Sequence, residues 1–404
     1  MQVIRKMRLE LSLLAALWTY LSVGLSSGYA LPQPRALTAW TIGSSVVPEL
    51  RSESYLQALS TIKDSERPND RELKAATVSA ADLSSKENPP FPIVLWRFSR
   101  PHTLIGSALA IPALHSLAAP SLQAAMSRIN IQAMAYAMFP ALLMNIYITG
   151  LNQITDVEID KINKPFLPIA AGILSKKDGI ATILLALFGS LWLGAANPVF
   201  STQGLNVALW GSGILGTMYS LPPFRLKRFP LLAAFCIVAV RGAIINASFF
   251  AHAKAAAFGG SGVTVLNCLA TDPRCYLSSI FFAVFGIVIA LMKDVPDVAG
   301  DRNSNVRTFS VRLGQGRIFQ ASRRLLSGLF WTVGVGFGKA AFQAPTAGLA
   351  ASRSLTAVAA FLGGCSVRKD AQGVDPENAG QVYSYYMHLW KLFYLSYLVL
   401  PFAR

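Results

Sequence analysis

Charge is scarce in this chain: only 14% of its 404 residues are Asp, Glu, Lys or Arg. An ordinary soluble domain carries roughly a quarter, so a water-facing globule is excluded. With 53% apolar residues and a mean hydropathy of +0.45, the composition is that of an all-α polytopic membrane protein. Acids are scarcer still, 20 against 36 Lys and Arg. Cysteine is limited to Cys236, Cys268, Cys275 and Cys365, with no Cys-x-x-Cys pair and no histidine at ligand spacing, which excludes a zinc site. Cys268 and Cys275 share one loop, where they either pair in an oxidising compartment or remain two thiols. The four histidines, His102, His115, His252 and His388, are scattered, so a histidine metal site is excluded as well.

What is abundant is apolar sequence in segments near the bilayer-spanning length of roughly 20 residues. They fall near 103–119, 131–152, 179–196, 203–221, 230–251, 277–294, 325–343, 345–364 and 385–403, which predicts nine helices. With nine spans, the connections after the even-numbered helices lie on the side of the segment before the first. That side collects 18 Lys and Arg, from Arg97 and Arg100 to Arg368 and Lys369, and the other collects six. The asymmetry is the positive-inside pattern, and no nucleic-acid partner is expected.

Ahead of these segments, residues 1–30 have a basic start (Arg5, Lys6, Arg8), an apolar body and small residues before Ala30, as in a secretory signal. An uncleaved signal anchor is the alternative. Residues 31–90 hold no sustained apolar run; 31–48 contain Arg35 and no acid, as in a transit peptide, and the charges beyond are mixed, as in a linker. This layout resembles the bipartite presequence of proteins sent to plastids bounded by extra membranes. The alternative is a secretory-pathway protein with a lumenal arm. The membrane domain is expected over 91–404.

The few acids of that domain are not spread evenly. Six of the 11 in residues 91–404 fall in two stretches, Asn152-Gln-Ile-Thr-Asp-Val-Glu-Ile-Asp160 and Lys293-Asp-Val-Pro-Asp-Val-Ala-Gly-Asp301. Each follows an apolar run. Asn152, Asp156 and Asp160 are spaced four apart, and Asp294, Asp297 and Asp301 three and four apart, so each set predicts one face of a helix. Oxygen ligands at the mouth of an apolar helix are costly unless something binds them, and the span count places both stretches on the positive side. Mg²⁺ prefers carboxylates, water and substrate phosphates. A diphosphate bridging ions held by the two clusters, with Arg and Lys on its outer oxygens, fits that chemistry. In a membrane the remainder of such a substrate is a lipid tail, hence a prenyl diphosphate leaving an allylic cation. Phe139, Tyr147, Tyr219 and Phe224 are the aromatic candidates to face that cation, with lipid or core packing as the alternative for each.

At this point a resemblance becomes specific. The chain is similar to the UbiA superfamily of intramembrane prenyltransferases, and most to its plastid homogentisate branch. The carriers are Asn-Gln-x-x-Asp-x-x-x-Asp at 152–160, where many other members begin Asn-Asp, and its continuation to Gly172. With them stand 293–301 continuing to Gln315, the segment Tyr219-Ser-Leu-Pro-Pro-Phe-Arg-Leu-Lys-Arg-Phe-Pro230, and Arg97-Phe-Ser-Arg-Pro-His-Thr103. The resemblance implies nine helices around a lipid-open cavity, and Mg²⁺-dependent prenyl transfer to homogentisate with loss of CO₂, as in tocopherol synthesis. It implies Asn152, Asp156 and Asp160 as ligands of one metal and Asp294, Asp297 and Asp301 of the other, with Asp156, Asp160, Asp297 and Asp301 central to catalysis. It implies Arg100, Lys161, Arg225, Lys227 and Arg228 as diphosphate cations, with Tyr219 in the same segment. Asn145 and Arg241, polar in mid-helix, are expected to line the cavity; for Arg241 a structural pairing is the equal alternative. Ala299 departs from plastid relatives, which commonly carry an acid there.

Two rival functions accompany this reading. One is a homogentisate solanesyltransferase of plastoquinone synthesis, toward which Leu221-Pro-Pro-Phe-Arg225 and Arg241-Gly242 lean, while 156–160 and 309–315 lean to the phytyl or geranylgeranyl type. The other is an ion-coupled transporter, which predicts inverted repeats and mid-membrane acids. Gly211-Ser-Gly-Ile-Leu-Gly216 matches a dinucleotide fingerprint but lies inside an apolar span without a preceding strand, so it is read as a helix-packing face.

Overall fold

A computed structural model describes residues 89–260, 262–303 and 308–404. The signal and nearly all of the transit-like segment fall outside the described residues. Nine long helices are present among them: α1 (Pro101–Ala118), α2 (Arg128–Thr155), α3 (Lys176–Ala195), α4 (Gln203–Ser220), α5 (Pro230–Ala257), α6 (Pro273–Lys293), α7 (Gln315–Phe342), α8 (Ala347–Lys369) and α9 (Ala379–Val399). The described residues contain no strand. Side-chain caps set several helix starts: Ser127, Ser175, Thr202, Thr346 and Asn378 each accept a backbone N–H three residues on. Proline in the first turn opens α1, α5 and α6, where its missing N–H costs nothing.

Six of the nine, α2, α3, α5, α6, α7 and α8, are long and apolar enough to cross a membrane. The other three are diluted by polar residues: His102 and His115 in α1, Asn206 and a run of Gly and Ser in α4, and four tyrosines with His388 and Lys391 before Tyr397 in α9.

Packing closes the helices into a ring. Each of α4 to α8 packs on its successor, α9 returns to α1, α1 packs on α2, α2 on α4, and α3 leans on α2 and α4. The centre of the wall between α6 and α9 is aromatic: Phe282 stacks on Tyr397 at 3.9 Å, and Phe393 meets Phe282 and Phe285 edge-on. The outer faces are apolar too. Leu185, Phe188 and Trp192 on α3 and Phe361 and Leu362 on α8 are exposed, which suits lipid and not water. Glycines permit the closest approaches. A Cβ at Gly216 would sit 2.7 Å from Ile148 and one at Gly213 would touch Met144, so 211–216 is a packing face. At the end of the bundle away from the acidic clusters, Arg274 and Arg404 donate to the terminal carbonyls of α1, among them Leu117 and Ala119. Cys268 and Cys275 lie buried and unbridged there.

Candidate functional site

The two acidic stretches do not form continuous helical stripes. α2 stops at Thr155, and Asp156 (φ −115°, ψ 19°) is at once its C-cap and the N-cap of a short helix, Val157–Asn163. α6 stops at Lys293 with Asp294 as C-cap, and a turn through Val295, Pro296 and Asp297 leads into Val298–Asn303. Pro296 has no N–H to give and its ring opposes a continuing helix. The expected faces are therefore each folded over a corner, with one carboxylate of each set, Asp156 and Asp294, at the cap.

These corners meet. The helices Val157–Asn163 and Val298–Asn303 pack on each other. Asn163 Oδ1 accepts the Gly300 N–H at 3.0 Å, a contact that leaves no room for a Cβ at 300. Lys164 Nζ donates to Asp297 Oδ2, joining one cluster to the other. Cations line the rest. Arg225 Nη2 and Lys227 Nζ donate to opposite oxygens of Asp156 at 3.2 and 2.5 Å, and Lys293 donates to Asp294 at 2.6 Å. Arg100 Nη2 donates to Asn152 Oδ1 at 3.0 Å and lies 3.9 Å from Asp160 Oδ2. Asn152 in turn donates to Asp156 at 3.0 Å.

Arg100 and Arg225 share a further property. Among the described residues they alone, apart from glycine, have positive φ, 51° and 35°. Such backbone costs about 1–3 kcal/mol and persists where the surroundings hold it. For Arg100 the hold is visible. Gly150 lets the ring of Phe98 lie against α2, since a Cβ there would be 2.5 Å from it, and buried Gln153 donates to the Phe98 carbonyl at 2.7 Å. The segment before Arg100 is thus clamped to the helix that carries Asn152.

Burial pushes the Asp160 carboxyl up to about 6 against the pull of Arg100, and Asp301 up to about 7, with Asp294 and Asp297 adding to it. Asp294 is raised as well by burial, restrained by Lys293. Burial lowers the Lys227 ammonium while Asp156 resists. Asp160 Oδ2 is buried without a hydrogen-bond partner. An orphaned carboxylate oxygen is costly unless a cation completes it, so the donor set fits a hard metal ion. Among the described residues no three such groups converge into a ready cage, as suits an ion that takes much of its shell from water and phosphate.

Other expected residues fall elsewhere. Lys161 pairs with Glu158 on the exposed side of its helix at 2.9 Å, and Arg228 is exposed; among the described contacts neither touches a cluster carboxylate. Tyr219 lies beside Lys293 and within reach of Asp294. Asn145 ties α2 to α1, accepting from Thr103 at 3.2 Å and donating to Ser107. Phe139 and Phe224 are 70% and 55% exposed and so face outward, and the Tyr147 hydroxyl is bonded to Thr217. The interior aromatics are instead on α9. Trp390 and Phe393 lie 4.9 and 5.5 Å from the Arg241 guanidinium, and the His102 ring meets Trp390 at 5.1 Å. Neither motif nor spacing singles out Lys164, Asn163, Trp390 or Phe393, whereas His102 is expected at the entrance from its place in Arg-Pro-His-Thr103. The dense Tyr, His and Trp run of 383–397 was the available signal.

Residues 104–392 match the sequence profile of the UbiA prenyltransferase family. The chain belongs to this family. A UbiA prenyltransferase has no need of the inverted repeats of a transporter, and that rival is set aside. Homogentisate phytyltransferase 1 of Arabidopsis thaliana chloroplasts is 39% identical over 311 residues, covering 76% of this protein and 75% of the relative. The chloroplast homogentisate solanesyltransferase of the same plant is 34% identical over 309 residues, covering 76% and 75%. A UbiA homolog from Archaeoglobus fulgidus, solved bound to GPP and Mg²⁺, shares the fold with a TM-score of 0.50 at 14% identity, over 76% of this protein and 99% of that one.

Proposed function

We propose that this UbiA prenyltransferase moves a phytyl or geranylgeranyl group from its diphosphate to homogentisate in tocopherol synthesis. The observation that carries the reading is the meeting of two carboxylate clusters through Lys164 and Asn163, each ringed by cations. Asn152, Asp156 and Asp160 would hold one Mg²⁺ and Asp294, Asp297 and Asp301 another. Metal bound there would neutralise the charge that develops on the departing diphosphate. With metal on these carboxylates, the cations that bond them here, Arg100, Lys164, Arg225 and Lys227, would be free for phosphate oxygens. Breaking the C–O bond of the donor releases diphosphate and an allylic cation. The electron-rich ring of homogentisate attacks it, forming a C–C bond and losing a ring proton. The bond between the acetate methylene and its carboxylate then breaks, CO₂ leaves, and the methylene takes up a proton.

The names of the relatives support homogentisate as acceptor, and identity of 39% to a phytyltransferase, against 34% to a geranylgeranyltransferase and to a solanesyltransferase alike, favours a phytyl donor. The chloroplast location of these relatives and the six apolar helices support a plastid membrane. In this reading 1–30 and 31–90 are the presequence, 91–404 the membrane domain, and all nine long helices spans around a lipid-open cavity. The test is an assay of membranes with radiolabelled homogentisate, Mg²⁺ and geranylgeranyl, phytyl and solanesyl diphosphates. Product with the geranylgeranyl or phytyl donor is expected. Product with solanesyl diphosphate alone would move the protein to plastoquinone synthesis, and no product with any donor overturns the reading.

A further inference from the structure

We infer that Arg241 anchors the carboxylate of the aromatic acceptor, at the place where the widened turn of α5 faces the aromatic side of α9. The inference rests on the acceptor being an aromatic acid, as proposed above.

Arg241 lies within an apolar helix of membrane-spanning length. A guanidinium there is expensive and normally has an anionic partner. Among the described residues it has none. Its neighbours are the rings of Trp390 and Phe393, with Tyr386, Tyr394 and Tyr397 within electrostatic reach. Cation–π contacts with the rings recover only part of the cost of removing the charge from water. No described ion pair joins Arg241 to a cluster carboxylate; the ion pairs of Asp156, Asp160, Asp294 and Asp297 are with Arg100, Lys164, Arg225, Lys227 and Lys293. The missing partner is therefore an anion supplied from outside the protein.

The geometry around Arg241 is constructed, not incidental. Residues Ala239–Ala247 form a π-helical stretch inside α5, a widening that is common at functional sites. It is held in place from two directions. Gly242 lies so close to α6 that a Cβ would be 2.5 Å from that of Ala283, and Asn246 donates to the Arg241 carbonyl while accepting from the Tyr397 hydroxyl at 3.3 Å. The guanidinium is thereby presented to the rings of α9.

The chemistry of this setting selects the ligand. A planar guanidinium matches a carboxylate with two parallel bonds, and aromatic neighbours such as Trp390 and Tyr386 suit an acid that carries a flat ring. The position selects the orientation of the bound acid. Tyr386 is within reach of the charges of Arg241, Arg100 and Lys293, and His102 of those of Arg241, Arg100 and Lys164. These two side chains therefore lie near both Arg241 and cations at the cluster end of the bundle. An acid held by Arg241 would point its ring toward the donor carbon.

The experiment compares homogentisate with its primary amide as acceptors for the full-length enzyme in membranes, with saturating Mg²⁺, and repeats both with Arg241→Gln and Arg241→Lys. The wild type is expected to favour the acid over the amide by about 30-fold in kcat/KM, the effect of one charge-assisted pair. Arg241→Gln should raise KM for homogentisate by a similar factor, leave KM for the prenyl diphosphate within about two-fold, and erase the preference for the acid. Arg241→Lys should retain part of that preference. A wild type that does not distinguish acid from amide overturns the inference, and that result needs no variant to fold. So does an Arg241→Gln enzyme whose acceptor KM is unchanged, or whose donor KM rises as much, which would place Arg241 on the diphosphate. A wild type inactive on homogentisate with every donor overturns the proposed function and this inference together; activity with an unchanged Arg241→Gln overturns the inference alone.

Discussion

Asp156 bears the densest set of contacts in the site, with Asn152, Arg225 and Lys227 all on its two oxygens. Asp156→Asn and Asp297→Asn are each expected to abolish turnover while the protein stays in the membrane; immunoblots of membranes beside the prenyl-transfer assay check this, and retained activity in either removes the two-cluster site. A second expectation concerns pH. Asp160 and Asp301 titrate near 6 and 7 in the metal-free protein, above the ordinary carboxylate range, because burial disfavours their charged forms. The folded state then holds protons that the unfolded state has released. Metal-free stability should fall as pH rises from about 4 through 7, and be lowest above that. Mg²⁺ needs the ionised carboxylates, so its apparent affinity should rise over the same interval. Melting curves at pH 5 and pH 8 with and without Mg²⁺ test both signs: the stabilisation by Mg²⁺ should be large at pH 8 and small at pH 5.

At the scale of elements, the site depends on close approaches. Gln153→Ala should cost about 1–3 kcal/mol, because the Phe98 carbonyl loses its donor in a buried position. Gly242→Ala, which forces α5 away from α6, should cost about as much by overpacking. Both losses are readable as lowered thermal stability in detergent. Gln153 shows what a motif can and cannot reveal. Its type was a recognisable feature of the 152–160 stretch, yet its side chain serves the backbone of another segment. Spacing alone also suggested unbroken acidic helices. The breaks at Asp156 and Pro296 come from cap geometry and proline, and without them the short helices could not turn to face each other.

At the scale of the molecule, the nine spans proposed above put the connection after α2 and that after α6 on one side and the connection between α7 and α8 on the other. In a Cys365→Ser background, Lys177→Cys and Arg312→Cys should react with an impermeant maleimide from one face of the membrane, and Gln343→Cys from the opposite face; all three positions are exposed. Labelling of all three from one side would remove a span between them. Arg404→Ala should loosen the far end of the ring, since its side chain closes the carbonyls at the end of α1.

Hydropathy and charge placement sufficed to define a helical membrane protein, and the two acidic stretches with their flanks sufficed to name the family and to suggest the metal-diphosphate chemistry proposed above. These features are local: each is carried by residues within about ten positions of one another, where spacing reports on face and burial. The pairing of Lys164 with Asp297, the left-handed backbone of Arg100 and Arg225, and the meeting of Arg241 with α9 were decided only by the fold. Each joins parts of the sequence far from one another, or a backbone angle that no residue type dictates. The first cluster makes the same point: its residue types were legible as candidate ligands, while the partners that hold them, and the buried Asp160 oxygen without a hydrogen-bond partner, exist only once the helices have closed into a ring.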